Sequence, residues 1–271
     1  MELIQRLTET DAQNVECDAR NKLNEYGKLN DVIGSQIFAI LGRYSRVLYY
    51  PLEDDDVWGF VEKTANGTFV CINTSLSYEK QVFVAAHELY HILHETPEEL
   101  TLAKNLEESA TKEPIQIEEL KANRFAAAFL VDAGLLRHEM NVMKISSSTL
   151  NVQGILSLAN LFMVPYKTMA RRLFELEIIT ESQLSEYLKV SGSDLEIMKK
   201  RLGLLTPIQD KTIVLDNLVE TAMSLYEKEQ ITVEKLEQVL RYANMNLSDM
   251  GISSFKSSPL TDAELEALLE E

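Results

Sequence analysis

The sequence predicts an α+β fold that is predominantly α-helical. Three observations support this class. Residues 46–74 are rich in β-branched and aromatic residues and contain an Asn-Gly turn, which is typical of short paired strands. The next long segment carries apolar residues at helical spacing, and the chain after Gly134 is helical in pattern to its end. We therefore predict a small, mostly antiparallel sheet of about three strands, packed on one helix and followed by an all-helical C-terminal region.

The N-terminal part, from about residue 10 to residue 45, is predicted to form two helices. Apolar residues recur at helical spacing in DVIGSQIFAILGRY, and Asp31 at its start is a candidate N-cap. The pattern then changes to strands in RVLYYPL (46–52), VWGFVEK (57–63) and TFVCINT (68–74). Asn66-Gly67 between the last two is a strong hairpin-turn signal.

Two helices with strong apolar patterns follow, SYEKQVFVAAHELYHILH (77–94) and IQIEELKANRFAAAFLV (115–131). The first should end near Pro97, because the residue before a proline is pushed out of the α region. Thr96-Pro97-Glu98-Glu99 has the pattern of a new helix start, with Thr96 as the cap and Pro97 at the first position, and a polar stretch follows to about residue 114.

The C-terminal half is predicted to be helical throughout. Residues 154–176 form two helices with a short break at Val164-Pro165, and the last helix begins with a Thr261–Glu264 capping box. From these patterns we predict three regions: 1–140, which carries the chemistry, a helical region 141–205, and a C-terminal helical module 206–271 of unassigned role.

The composition excludes several classes of function. With 26 Lys+Arg against 43 Asp+Glu the net charge is −17, which disfavours binding to nucleic acid or to anionic membranes. Two cysteines cannot form a disulfide framework, and no signal peptide or apolar run of about 18 residues occurs. We therefore expect a cytoplasmic protein that does not associate with membranes.

The chemistry is concentrated in HELYHILH, residues 87–94, which hold three of the four histidines of the chain. At about 100° per residue, His87 and His91 lie one turn apart on one helix face, and Glu88 projects to the side. This His-Glu-x-x-His pattern on a helix is the signature of zinc peptidases, in which both histidines bind the metal. His94 lies further along the same face and is expected beside the site.

Catalytic zinc usually takes a third protein ligand and keeps one position open for water. A carboxylate is the default here, and periodicity favours Glu119. Glu119, Ala122, Asn123 and Ala126 share one face of the second helix, and its small side chains would allow close approach to the histidine helix. Glu118 lies on a different face of that helix, with Lys121 and Phe125.

HELYHILH together with EELKANRFAAAFLVD resembles the ImmA/IrrE family of metallo-endopeptidases (peptidase family M78), which pairs the His-Glu-x-x-His helix with a Glu-x-x-Ala-Asn-x-Phe-Ala segment. Residues 119–126 match that second motif in full. The resemblance extends over roughly residues 25–180. Tyr90 stands where the family commonly has Gly, and FLVD (129–132) replaces the usual Leu-Leu-Met-Pro.

The resemblance implies a zincin-like active-site helix and a metal site of His87, His91 and Glu119, with Glu88 as the catalytic general base. Zn²⁺ is the expected metal, although Mn²⁺ or another divalent ion would suit the same ligands. Members of the family cleave helix-turn-helix repressors or related regulators of phages, mobile elements or stress loci. The expected partner is therefore such a protein, and the expected role is that of a regulatory protease or antirepressor that acts on transcription.

The sequence leaves some alternatives open. The oxyanion of the reaction could be stabilised by Tyr78, Tyr90, Arg124 or His138. The chain could instead be a metal-containing regulatory protein with little proteolysis. A third alternative is a DNA-binding regulator that uses the helix pair 154–176, whose second helix carries the basic residues Lys167, Arg171 and Arg172.

Overall fold

The structure is a computed structural model that describes residues 7–54, 56–64, 67–94, 101–104, 117–204, 213–215 and 217–252. The chain divides into two compact units, Met1–Val214 and Leu215–Glu271. Among the described residues, the first unit contains the sheet and nine α-helices, and the second contains a pair of α-helices with its own small core.

Two helices precede the sheet: α1 (Glu9–Glu25) and α2 (Gln36–Leu41). The side chain of Thr8 caps α1 by accepting a hydrogen bond from the backbone N–H of Asp11. The helix α2 starts at Gln36 after Ser35, so Asp31 is not its N-cap. The apolar face of α1 packs into the main core.

The sheet contains the three predicted strands, β1 (Arg46–Tyr50), β2 (Val57–Thr64) and β3 (Gly67–Asn73). A fourth strand, β4 (Thr101–Lys104), joins them from the polar stretch between the two helices, where the sequence pattern predicted no strand. The order is β1-β3-β2-β4, with β1 parallel to β3 and the other two pairs antiparallel.

The strands β2 and β3 pair as a hairpin, with Thr64 opposite Gly67, so Gly67 belongs to β3 and not to the turn in which the Asn66-Gly67 signal placed it. Asn66 of the predicted turn lies outside the described residues. The other edge of the sheet carries a short addition, because Val214 forms an antiparallel bridge to Tyr49 of β1 through two backbone hydrogen bonds of 2.8 and 2.9 Å.

The histidine-bearing helix α3 (Tyr78–His94) packs against the sheet, and α4 (Ile117–Leu130) packs against α3. Every residue from Gln81 to His91 is buried, so this stretch is covered on all sides and not only on an apolar stripe. The predicted stop near Pro97 and the predicted helix start at Thr96 lie outside the described residues.

Five further helices complete the first unit, and they lie where the pattern predicted helices. They are α5 (Ala133–Val142), α6 (Val152–Phe162), α7 (Tyr166–Glu175), α8 (Glu181–Tyr187) and α9 (Gly192–Arg201). Most begin with a side-chain cap, such as Asp132, which accepts hydrogen bonds from the N–H groups of Gly134 and Leu135. The fold class is therefore the predicted one, α+β and mostly helical.

The helix α7 buries one of the three basic residues on which the DNA-binding alternative depends. Arg172 is fully buried, and its guanidinium donates to Val131 O at 3.0 Å and to the Glu16 carboxylate. A side chain held this way cannot contact a phosphate or a base edge. Most residues of α7 are buried in the core, and the DNA-contacting role that the alternative gave to Arg172 is wrong.

The second unit contains α10 (Leu218–Glu227), α11 (Val233–Tyr242) and a short 3₁₀ helix (Leu247–Met250). Its core is formed by the buried residues Ala222, Leu236, Leu240 and Leu247. The boundary predicted at residue 206 and the predicted capping box at Thr261 both lie outside the described residues. Within the part of the chain that the structure describes, no helix is long and apolar enough to cross a membrane.

Candidate metal centre

The two histidines of the motif lie side by side in the C-terminal half of α3. Their Nε2 atoms are 3.1 Å apart, and neither side chain exposes more than 1% of its surface. Burying polar groups costs free energy unless they have partners, so two buried imidazoles on one helical turn indicate a candidate functional site.

The carboxylate of Glu119 comes to the same point from α4. Its Oε2 is 3.2 Å from His87 Nε2, and its Oε1 is 3.4 Å from His91 Nε2. Ala122 and Ala126, on the same face of α4, are fully buried, so their small side chains allow the two helices to approach closely. The helical periodicity that favoured Glu119 over Glu118 therefore holds in the folded chain.

The three side chains suit a metal ion in spacing and in chemistry. Tetrahedral ligands at bond lengths of about 2.0–2.1 Å are separated by roughly 3.3 Å, close to the three distances found here. Two imidazole nitrogens and one carboxylate oxygen are donors that zinc accepts, and three protein ligands leave a fourth position for water. Among the described residues, His87, His91 and Glu119 are the one group of three such side chains close enough to share an ion.

Glu88 is fully buried on the side of α3 that faces β2. A Cβ atom added to Gly59 of β2 would lie 3.7 Å from Glu88 Oε1 and only 2.5 Å from Val84 Cγ1. The strand can therefore approach α3 this closely only because residue 59 has no side chain. Burial and the nearby Glu88 charge together raise the pKa of the Cys71 thiol to about 11, so Cys71 remains a neutral thiol beside the carboxylate.

A comparison with known families agrees with this geometry. Residues 45–174 match the model of the Peptidase_M78 family, described as the IrrE N-terminal-like domain. This part of the chain belongs to the Peptidase_M78 family. The family is of zinc metallopeptidase type, and the matched residues contain all four candidate site residues. No curated protein matches the chain.

Within the M78 domain, Asn123 is a further candidate site residue, which the sequence pattern placed on the same face as Glu119 but gave no role. Its Oδ1 lies 3.0 Å from His87 Nδ1 and can accept the proton on that nitrogen; when the ring is neutral, this leaves the Nε2 lone pair directed toward Glu119 and His91. The signal was available, because Asn123 follows Glu119 by one helical turn and so lies on the same face of α4.

Glu119 is held in its ionised form. Burial acts to raise its pKa, but when the imidazoles are protonated, the hydrogen bond from His87 and the charges of His87 and His91 outweigh burial and lower the pKa below the ordinary value. An ionised carboxylate is the form that binds a metal.

Several of the other candidate residues form contacts with other parts of the fold. His94 pairs with Asp18 of α1 at 2.8 Å, which agrees with its expected position beside the site. Arg124 forms ion pairs with Glu16 at 2.8 Å and with Glu175 at 3.0 Å, so the Arg124 guanidinium links helices of the fold. His138 is exposed on α5.

Tyr78 and Tyr90 both belong to α3. Tyr78 is the first residue of the helix, and its ring lies 5.9 Å from that of Phe38. The Tyr90 hydroxyl donates to Glu118 Oε2 at 3.0 Å.

Proposed function

We propose that this chain is a zinc-dependent metallo-endopeptidase. The observation that carries the proposal is the convergence of His87, His91 and Glu119 beside a buried Glu88, within a domain of a metallopeptidase family. Zinc is the proposed metal, and Mn²⁺ is the alternative that the same nitrogen and oxygen donors would accept.

In this proposal His87, His91 and Glu119 hold the metal, and Asn123 fixes the tautomer of His87. When bound, the metal provides Lewis-acid chemistry, acidifying a water molecule and polarising the scissile carbonyl. Glu88 is the general base: its carboxylate takes a proton from the attacking water and later delivers it to the amine that leaves. The close packing of β2 at Gly59 keeps the Glu88 side chain in a dry, low-dielectric position.

The substrate is proposed to bind as an extended strand. The strand β4 is at the outer edge of the described sheet, and its backbone contacts α3. An edge strand presents unpaired N–H and C=O groups that a peptide can pair with by strand addition. This mode would hold an extended peptide next to the helix that carries the site.

We propose a regulatory role for the reaction, in the cytoplasm. The proposed substrate is a helix-turn-helix repressor or a similar regulator of a phage, mobile element or stress locus. The resemblance of the two motifs to ImmA/IrrE peptidases supports this choice. The net charge of −17 also favours association with a basic DNA-binding protein over association with DNA itself.

The test combines metal analysis with cleavage of candidate repressors, beginning with one encoded next to this chain. The wild type should bind one zinc ion and cleave its substrate. Glu88→Gln should keep the metal and lose cleavage by a factor of about 10² or more, as expected for loss of a general base. Glu186→Gln, an exposed glutamate on α8, is the matched control and should cleave normally.

Two further variants test the metal site. His91→Ala should lose zinc, whereas His138→Ala, which removes an exposed histidine on α5, should retain it. If zinc binds but no candidate is cut in a Glu88-dependent manner, the enzyme proposal is wrong and the metal-containing regulatory protein becomes the better description.

A further inference from the structure

A hydrogen bond joins the two helices that carry the proposed metal ligands. On each helix, the residue that forms this bond directly precedes a proposed ligand. Tyr90 of α3 precedes His91, and Glu118 of α4 precedes Glu119. The Tyr90 hydroxyl donates to Glu118 Oε2 at 3.0 Å. We propose that this Tyr90–Glu118 clamp positions Glu119 against the two histidines and thereby sets the metal affinity of the site. The inference rests on the proposed metal site.

The tyrosine side of the clamp is rigid. The side chain is 5% exposed, and its ring packs 4.5 Å from the His94 ring, 5.6 Å from Phe125 and 5.8 Å from His91. A ring held by three aromatic neighbours has little rotational freedom, so its hydroxyl presents a fixed donor to α4.

The glutamate side is also fixed, because each oxygen of Glu118 has its own donor. Oε2 accepts from Tyr90, and Oε1 accepts from Lys121 Nζ at 2.9 Å. Lys121 lies three residues further along the same helix, so the carboxylate is braced from its own helix while it reaches across to α3. Hydrogen bonds to an ionised acceptor are the stronger kind.

The position of Glu119 within α4 explains why a clamp is needed. Glu119 is the third residue of the helix, which begins at Ile117. The first turn of a helix lacks partners for its N–H groups and frays more readily than the interior. Ala122, Phe125 and Ala126 anchor the later turns in the core, but the Glu119 side chain is 22% exposed. The clamp fixes the one turn of α4 that must hold a ligand.

The expected effect is on metal affinity more than on folding. Loss of a side chain that orients a metal ligand typically weakens metal binding by about 10- to 100-fold. Because Tyr90→Phe removes only the hydroxyl and keeps the packed ring, we expect zinc binding to weaken by about 10-fold. Glu118→Ala should give a similar loss. Glu118→Gln retains an oxygen that can accept the hydroxyl proton and should restore part of the affinity.

The experiment measures zinc dissociation constants by competition with a chelator, on the full chain, for Tyr90→Phe, Glu118→Ala, Glu118→Gln and the Tyr90→Phe/Glu118→Ala double variant. Tyr187→Phe is the matched control, because Tyr187 donates its hydroxyl to Leu150 O at 3.1 Å in a buried position away from the site. The clamp predicts that the double variant binds zinc no more weakly than either single variant. It also predicts normal zinc affinity for Tyr187→Phe, and a fall in kcat greater than the change in KM for Tyr90→Phe.

Two results would overturn the clamp: wild-type zinc affinity in Tyr90→Phe, or losses in the two single variants that add in the double variant. The histidine variants separate this failure from failure of the proposed function. If His91→Ala abolishes zinc binding while Tyr90→Phe leaves it intact, the clamp alone is wrong. If His91→Ala binds zinc as the wild type does, the metal site itself is wrong.

Discussion

The helix α1 is joined to α4 and α7 by a cluster of ion pairs, formed by Glu16, Arg124, Arg172 and Glu175. Breaking one of these pairs tests directly how much the cluster stabilises the fold around the site. Glu16 of α1 contacts both arginines, at 2.8 Å from Arg124 Nη2 to Oε1 and at 2.9 Å from Arg172 Nη2 to Oε2. Glu175 is the second anion, at 3.0 Å from Arg124 and 3.4 Å from Arg172. We predict that Glu16→Gln destabilises the first unit.

The magnitude follows from the burial of Arg172, whose side chain is 0% exposed. Removing one partner of a buried ion pair costs about 3–5 kcal/mol, because the other charge is left uncompensated. Here the glutamine can still accept hydrogen bonds and Glu175 still compensates part of the charge. We therefore expect the free energy of unfolding to fall by about 2–3 kcal/mol.

The assay is urea unfolding followed by the fluorescence of Trp58, the one tryptophan of the chain, which is buried in β2 of the first unit. This signal reports the first unit separately from the second, so a two-state analysis applies to that unit. Glu25→Gln is the control, because Glu25 forms a surface pair with Lys22 on the same helix and should cost less than about 0.5 kcal/mol.

A double-mutant cycle with Arg172→Met decides whether the pairing is responsible. If it is, Glu16→Gln should cost much less in the Arg172→Met background, with a coupling energy of at least about 1 kcal/mol. A loss below about 0.5 kcal/mol for Glu16→Gln, or strict additivity in the cycle, would refute the reasoning.

Two further predictions concern pH and packing. Burial acts to raise the pKa of Glu16, but the hydrogen bonds and charges of Arg172 and Arg124 outweigh it and lower the pKa below 4.5. The stabilisation that the ionised Glu16 carboxylate contributes is therefore complete above pH 4.5, and it is lost as the pH falls through the folded-state pKa. The urea midpoints of the wild type and Glu16→Gln should consequently converge at acid pH. Gly59→Ala would place a Cβ 2.5 Å from Val84 Cγ1 and 2.8 Å from Cys71 O, and should destabilise the fold by about 1–3 kcal/mol in unfolding followed by circular dichroism. Gly192→Ala, whose Cβ meets nothing within 4 Å, should leave stability nearly unchanged, and an equal loss in both variants would contradict the packing argument.

Local periodicity was sufficient to predict which side chains come together at the candidate metal centre. The spacing of His87 and His91 places both rings on one helix face, and the run of small residues that accompanies Glu119 identified the face of α4 that meets it. Both inferences depend only on the geometry of a single helix. The three strands β1 to β3 were likewise predictable, because β-branched residues and the turn signal are local features.

Contacts between distant parts of the chain could not be predicted in the same way. The strand β4 has only four residues, too few for a clear strand pattern, and it pairs as a strand because β2 offers it an edge. Arg172 looked like a surface residue because arginine is rarely buried, and its burial depends on Glu16, which lies 156 residues earlier in the chain. A sequence pattern does not show such a partner.

The ion pairs of α1 show how far along the chain the folded domain extends. The family match begins at residue 45, after α1 has ended, yet both arginines paired with Glu16 lie within the matched residues. In addition, Asp18 of α1 pairs with His94 of α3. Removing α1 would leave the buried Arg172 with Glu175 as its anionic partner among the described residues, and would uncover the α4 helix that carries Glu119. The helix α1 is therefore part of the structure that holds the site, and a folded domain must extend N-terminally beyond the residues that the family match covers.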